Sequence, residues 1–80
     1  MARPLTWDEL QPGVDVWEEW LLGYGTIHRK VLRRDGDSKV WMIRDGVRTV
    51  AFRTNPNHRY WNAEPTQEDR DKTPWRALYE

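Results

Sequence analysis

The sequence predicts a small, mainly β fold. Three observations carry this reading: short β-branched and aromatic runs separated by Gly, Asp and Asn turns, an Asp45-Gly46 dipeptide between two such runs, and six tryptophans as the supply of packing area in 80 residues. A chain of this size buries only roughly 60 to 65% of the surface it exposes when unfolded, so its stability must come from dense packing.

The elements follow in order. Thr6-Trp7-Asp8-Glu9 has the spacing of a capping box and predicts one helical turn, which Gln11-Pro12-Gly13 stops. Residues 14–20 read as a first strand, with Trp17 and Trp20 on opposite faces under strict alternation, which implies a bulge or burial on both faces. Gly23-Tyr24-Gly25 allows a bend into a second strand at 26–34, with Ile27 and Val31 on one side and Leu32 on the other. Asp35-Gly36-Asp37-Ser38 is a turn, and a third strand, 39–44, runs through Asp45-Gly46 into a fourth, 47–53.

Asp-Gly between two strands favours a two-residue type I′ turn, because both central positions need positive φ. That turn sets the register, pairing Trp41 with Val50, Ile43 with Arg48, Met42 with Thr49 and Val40 with Ala51. One face then carries Trp41, Ile43, Val50 and Phe52 and the other Val40, Met42, Val47 and Ala51, so the hairpin is expected to be covered on both sides. A loop at Asn55-Pro56-Asn57-His58 leads to a short strand, 59–61; Thr66 caps a turn that ends near Thr73-Pro74, and Trp75 and Tyr79 can dock the tail. Five short strands with tight turns predict an SH3-like or OB-like barrel, the SH3-like form favoured by length. The reading is one domain over 1–80, with a barrel core at about 14–62 and a tail at 63–80.

The chain has no cysteine, which removes disulfides, thiolate metal sites and cysteine nucleophiles and fits a reducing compartment. The first residues lack the apolar run of a secretory signal and no later run reaches the length of a membrane span, so a cytoplasmic protein is expected, with no membrane partner. Thirteen basic residues balance thirteen acidic ones, but unevenly along the chain. Residues 1–27 hold one arginine against five carboxylates, residues 28–59 nine Lys or Arg against three Asp, and residues 60–80 three cations against five carboxylates. Such segments either pair with each other in the fold or turn a basic face to a polyanion.

No residue pattern points to catalysis. Ser38 lies in a turn, without the base and oxyanion donors that activate a nucleophile. His28 and His58 lack thiol companions for a metal site. Glu18 with Glu19 and Asp35 with Asp37 are sequence neighbours rather than two groups in a cleft, and Gly23-Tyr24-Gly25 lacks the third glycine and the helix of a phosphate loop. Neither enzyme activity nor a cofactor nor a metal is expected.

Two binding readings remain. In the first, exposed aromatic and arginine residues contact a protein, with Trp20, Tyr24, Arg33, Arg34, Arg48 and Tyr60 as candidates. In the second, Arg29, Lys30, Arg33, Arg34, Lys39, Arg44, Arg48, Arg53 and Arg59, interleaved with Trp41, Tyr60 and Trp61, bind nucleic acid through phosphate contacts and base stacking.

The stretch from Leu5 through Gly13-Val14-Asp15-Val16-Trp17-Glu18-Glu19 and the stretch Tyr60-Trp61-Asn62-Ala63-Glu64-Pro65-Thr66-Gln67-Glu68-Asp69-Arg70, with Pro74-Trp75 after it, resemble small phage and prophage proteins of Gram-positive bacteria. The resemblance implies a small SH3-like barrel from a mobile element. It further implies a host protein or protein complex as partner, with inhibition of a host defence complex, as by anti-CRISPR proteins, as one such role. No catalytic residue is carried across by it.

Overall fold

The capping box closes the N-terminal turn. In the computed structural model, which describes residues 2–21, 23, 25–54 and 57–73, Trp7–Glu9 form a 3₁₀ turn, and Glu9 Oε1 accepts from the Thr6 backbone N–H at 3.0 Å. Arg3 holds the same carboxylate by donating from Nη1 to Oε1 at 2.9 Å and from Nη2 to Oε2 at 2.5 Å. The chain then drops the buried Leu10 side chain into the core and turns at Gly13, where φ is 89°.

Five strands follow: β1 (Asp15–Trp20), β2 (Thr26–Asp35), β3 (Lys39–Arg44), β4 (Val47–Phe52) and β5 (His58–Trp61), with a helix α1 (Gln67–Lys72) after them. They form one antiparallel sheet in the order β4-β3-β2-β1-β5, a four-strand meander with β5 returning to the outside of β1. The N-terminal segment lies against β5: Leu5 N–H donates to the Tyr60 carbonyl at 2.6 Å and Asn62 N–H to the Arg3 carbonyl at 3.0 Å. No pairing joins β4 to β5 among the described residues, so the sheet is open at this seam.

The expected hairpin forms in the expected register. Asp45 and Gly46 both take positive φ, 50° and 78°, and Trp41 faces Val50, Ile43 faces Arg48, Met42 faces Thr49 and Val40 faces Ala51. In β2 the register shifts between Val31 and Arg33, leaving Leu32 as the extra residue of a bulge. The bulge keeps Val31 and Arg34 on one face although they are three apart. Arg34 Nη1 donates from there to the carbonyls of Trp7 and Leu10, at 2.8 and 2.9 Å. Thr66 caps α1 as read from the sequence, its hydroxyl accepting from Asp69 N–H at 3.0 Å. The expected docking of Trp75 and Tyr79 lies outside the described residues.

The inner face of the sheet carries the core: Val16, Val31, Val40, Met42, Ala51 and Tyr60, closed by Leu10 and packed on by Leu5, Trp7 and Val14. The outer face is buried only toward β5, where Trp61 is fully buried and Arg59 nearly so. The expectation that the β3–β4 hairpin is covered on both sides is corrected here. On its outer side Trp41, Ile43 and Val50 are half-buried and Phe52 is 46% exposed. The reason is one of material: the one helix among the described residues is tied to the β1–β5 end by Arg59, which donates to the Thr73 carbonyl, and by Arg70, 3.8 Å from Glu19.

Two outcomes follow from this architecture. A Cβ at Gly46 meets nothing within 4 Å, so Gly46→Ala tests backbone conformation alone and is expected to lower stability by about 1 to 2 kcal/mol in urea unfolding, whereas Asp45→Asn is expected to be neutral. Equal midpoints for Gly46→Ala and the parent would remove the type I′ requirement.

The second outcome concerns acid. Hydrogen bonds from the Arg3 guanidinium and then the Thr6 N–H lower the Glu9 carboxyl from 4.5 to about 2. A carboxyl with a depressed folded-state pKa stabilises fully above about pH 4.5 and loses that contribution as the pH falls through 2. Urea midpoints measured over this interval should fall more steeply for the parent than for Glu9→Gln. The difference should shrink with added salt, because the pair is at the surface. Parallel curves would show that the Arg3–Glu9 contact adds nothing to folding.

Candidate functional site

Glu18 and Glu19 are consecutive in β1 and therefore point to opposite faces of the sheet, and both are buried, at 5 and 8% exposure. On the inner face Glu18 Oε2 accepts from Arg29 Nε at 2.5 Å and Oε1 from Trp20 Nε1 at 2.5 Å, with His58 Nδ1 3.5 Å from Oε1. On the outer face Glu19 Oε1 accepts from Arg59 Nε and from Trp61 Nε1, the latter at 3.0 Å, and the Arg59 guanidinium lies over the Trp61 ring at 4.7 Å. The sheet separates the two carboxylates, so they do not face one another across a cleft.

The histidines are also divided between the faces. His28 stacks on Trp17 at 4.4 Å and its Nε2 is 3.0 Å from Asp15 Oδ1, whereas His58 stacks on Trp20 at 5.2 Å. Ser38 lies in an exposed turn. Among the described residues no group of three or more His, Asp or Glu is placed to hold a metal ion, and no helix is long and apolar enough to cross a membrane.

Three arginines of the basic middle segment, Arg29, Arg34 and Arg59, are taken into the fold. Arg29 and Arg59 are buried against Glu18 and Glu19, and Arg34 holds backbone carbonyls while lying over Trp7 at 5.7 Å. Arg53 pairs with Asp37, and Arg44 sits 3.5 Å from Asp45 and donates to the His28 carbonyl at 3.0 Å. Arg44 and Arg53 are exposed as well as paired, and Lys30, Arg33, Lys39 and Arg48 are exposed on the outer face of β2, β3 and β4.

There they fall into cross-strand rows with the uncovered apolar residues. Lys30, Ile43 and Arg48 form one row, Arg33, Trp41 and Val50 the next, and Lys39 and Phe52 the last. The Arg33 guanidinium lies 5.4 Å from the Trp41 ring centre and the Lys39 ammonium 5.8 Å from that of Phe52. Asp35 holds the Trp41 indole by accepting from Nε1 at 2.7 Å and sits 3.7 Å from Arg33. An apolar strip bordered by cations results.

Of the six residues read as protein contacts, Arg33 and Arg48 are brought together on this face. Trp20, 47% exposed, lies on the inner side of the sheet at the end of β1. Tyr60, 8% exposed, and Arg34 are taken into the fold rather than displayed, because Tyr60 completes the core and Arg34 caps the N-terminal turn. Tyr24 lies outside the described residues. Trp41, Val50 and Phe52 were expected to be covered; the signal that places them in the site is their register with Arg33 and Lys39.

Comparison with known proteins returns no match: no protein-family model, no curated protein and no solved structure is significantly similar to the chain.

The buried outer pair gives a direct test of this assignment of the arginines. Replacing Arg59 by Met leaves Glu19 buried without its nearest cation, and the expected loss in denaturant unfolding is about 3 to 5 kcal/mol. A loss below about 1 kcal/mol, the range of a surface pair, would return Arg59 to the set available for a ligand.

Proposed function

We propose that the chain is a non-catalytic protein-interaction module that binds an acidic partner surface through the outer face of β2, β3 and β4. The observation that supports this reading is the set of cross-strand rows, in which Trp41, Val50 and Phe52 offer apolar area and Lys30, Arg33, Lys39 and Arg48 surround it. Binding energy concentrates where an aromatic or arginine side chain is desolvated, and a surrounding ring of charge selects the partner and speeds encounter.

The meander with β5 beside β1 supports a fold on the SH3-like rather than the OB-like plan. A chain without cysteine suits a reducing cytoplasm. The resemblance of its first and last stretches to phage and prophage proteins supports a narrower form of the reading, a mobile-element product that occupies a surface of a host protein complex, with inhibition of a defence complex as its role.

One observation favours a second reading. Arg33 with Trp41 and Lys39 with Phe52 place a cation and an aromatic ring together on one open sheet face, an arrangement that also suits single-stranded nucleic acid.

The test is affinity capture from a host lysate, with and without nuclease and at low and moderate salt, using the parent chain and the Arg33→Glu, Arg48→Glu double variant. A discrete acidic protein that survives nuclease, is retained at moderate salt and is lost with the double variant is the expected result. Nucleic acid that is released as salt rises would replace the first reading by the second, since counterion release makes that affinity steeply salt-dependent. Equal capture by parent and variant would remove the outer face as the contact.

A further inference from the structure

On the opposite side of the sheet, between β4 and β5, which do not pair, the inner surface opens into a pocket of about 190 Å³. Its walls include Glu18, Trp20 and Arg29 from β1 and β2, Thr49 and Ala51 from β4, and Tyr60 from β5. An apolar cavity of about 150 Å³ is enough to admit one benzene ring, so the space suits a single aromatic side chain.

The fixed charges in this pocket choose among ligands. The Glu18 carboxylate already accepts from Arg29 Nε and Trp20 Nε1, one donor on each oxygen. The Arg29 side chain is only 11% exposed and uses its Nε, while Nη1 and Nη2 have no hydrogen-bond partner among the described residues. A cationic ligand would therefore meet Arg29 and an anionic one Glu18, whereas a neutral acceptor can take the unused N–H groups without disturbing the pair. A backbone carbonyl is such an acceptor. Strand β4 has β3 on one side only, so along the pocket its other edge is open to a further strand among the described residues.

We propose that the pocket anchors a neutral, extended peptide segment of a partner protein, which adds to the free edge of β4, seats one aromatic side chain in the pocket and gives a backbone carbonyl to Arg29. This site lies on the face opposite the cation-bordered strip and does not depend on that strip's function.

The test is an NMR titration of the isotope-labelled full chain, reading the amides of β4 and the Trp20 indole and Arg29 Nε–H signals. The probes are N-acetyl-phenylalaninamide, its carboxylate form N-acetyl-phenylalanine, the cation phenethylamine, and the neutral peptide acetyl-Thr-Thr-Phe-Thr-Thr-amide. The neutral amide is expected to shift these signals with a Kd on the order of 1 mM. The two charged analogues should bind at least about fivefold more weakly, and the peptide at least about fivefold more tightly through its added strand contacts. Thr49→Trp, which fills the pocket from its wall, should abolish the shifts while leaving the dispersed spectrum of a folded chain. Should that variant not fold, the ranking of the four probes on the parent decides alone. Tighter binding of either charged analogue, equal binding of peptide and single amide, or saturable shifts confined to the outer face would each overturn the proposal.

Discussion

Two carboxylates in consecutive positions of a central strand set the terms for the rest of this molecule. Glu18 and Glu19 must point to opposite faces of β1, and both are buried, so each needs its own cation. Arg29 of β2 supplies it on the inner face and Arg59 of β5 on the outer face, which fastens β1 to both of its neighbours. A slip of β1 by one residue would exchange the faces of the two carboxylates and expose Val16, so the pairs act on register as well as on charge. The two pairs join the acidic start of the chain to its basic middle.

The tryptophans serve this arrangement as much as they fill the core. Among the described tryptophans only Trp61 is fully buried, and it donates to Glu19 while carrying the Arg59 guanidinium on its ring. Trp20 donates to Glu18 and stacks on His58, Trp17 stacks on His28, and Trp7 and Trp41 each lie beneath an arginine. An indole combines large apolar area with one N–H donor, so it can sit at the boundary between a thin core and the polar groups around it. In a chain too short for a second core layer, that boundary is a large part of the structure.

Local order was legible in the residues because its causes are local. The Asp45-Gly46 turn, the strand positions around it and the caps at Thr6 and Thr66 each rest on a conformational preference or a short-range hydrogen bond. What lies across from a face is not local. Alternation correctly grouped Trp41, Ile43, Val50 and Phe52, but it carries no information on whether anything covers them, and the answer turned on where Arg59 and Arg70 hold α1. The same limit explains Arg34 and Tyr60, whose exposure depended on the N-terminal turn and the return of β5. The bulge at Leu32 has no mark in Val31-Leu32-Arg33 either, since its effect is to aim Arg34 at carbonyls more than twenty residues earlier. Arg33 and Arg48 were recognised as surface groups, but Ile43 and Val50 on the same rows were expected to be covered.

The open face and the open edge raise a difficulty that the cations answer. A sheet edge such as β4, with Val47 and Phe52 exposed at its two ends, invites pairing with another copy, and natural sheets guard such edges with charge. Arg48 lies within that strand and Lys39 stands over Phe52, so the positively charged residues nearest the edge are also those that border the apolar strip. Like charges on two copies oppose self-association across this face, whereas a partner carrying carboxylates gains from the same groups. The charges that oppose self-association across the strip are thus the same ones that a carboxylate-bearing surface would meet there.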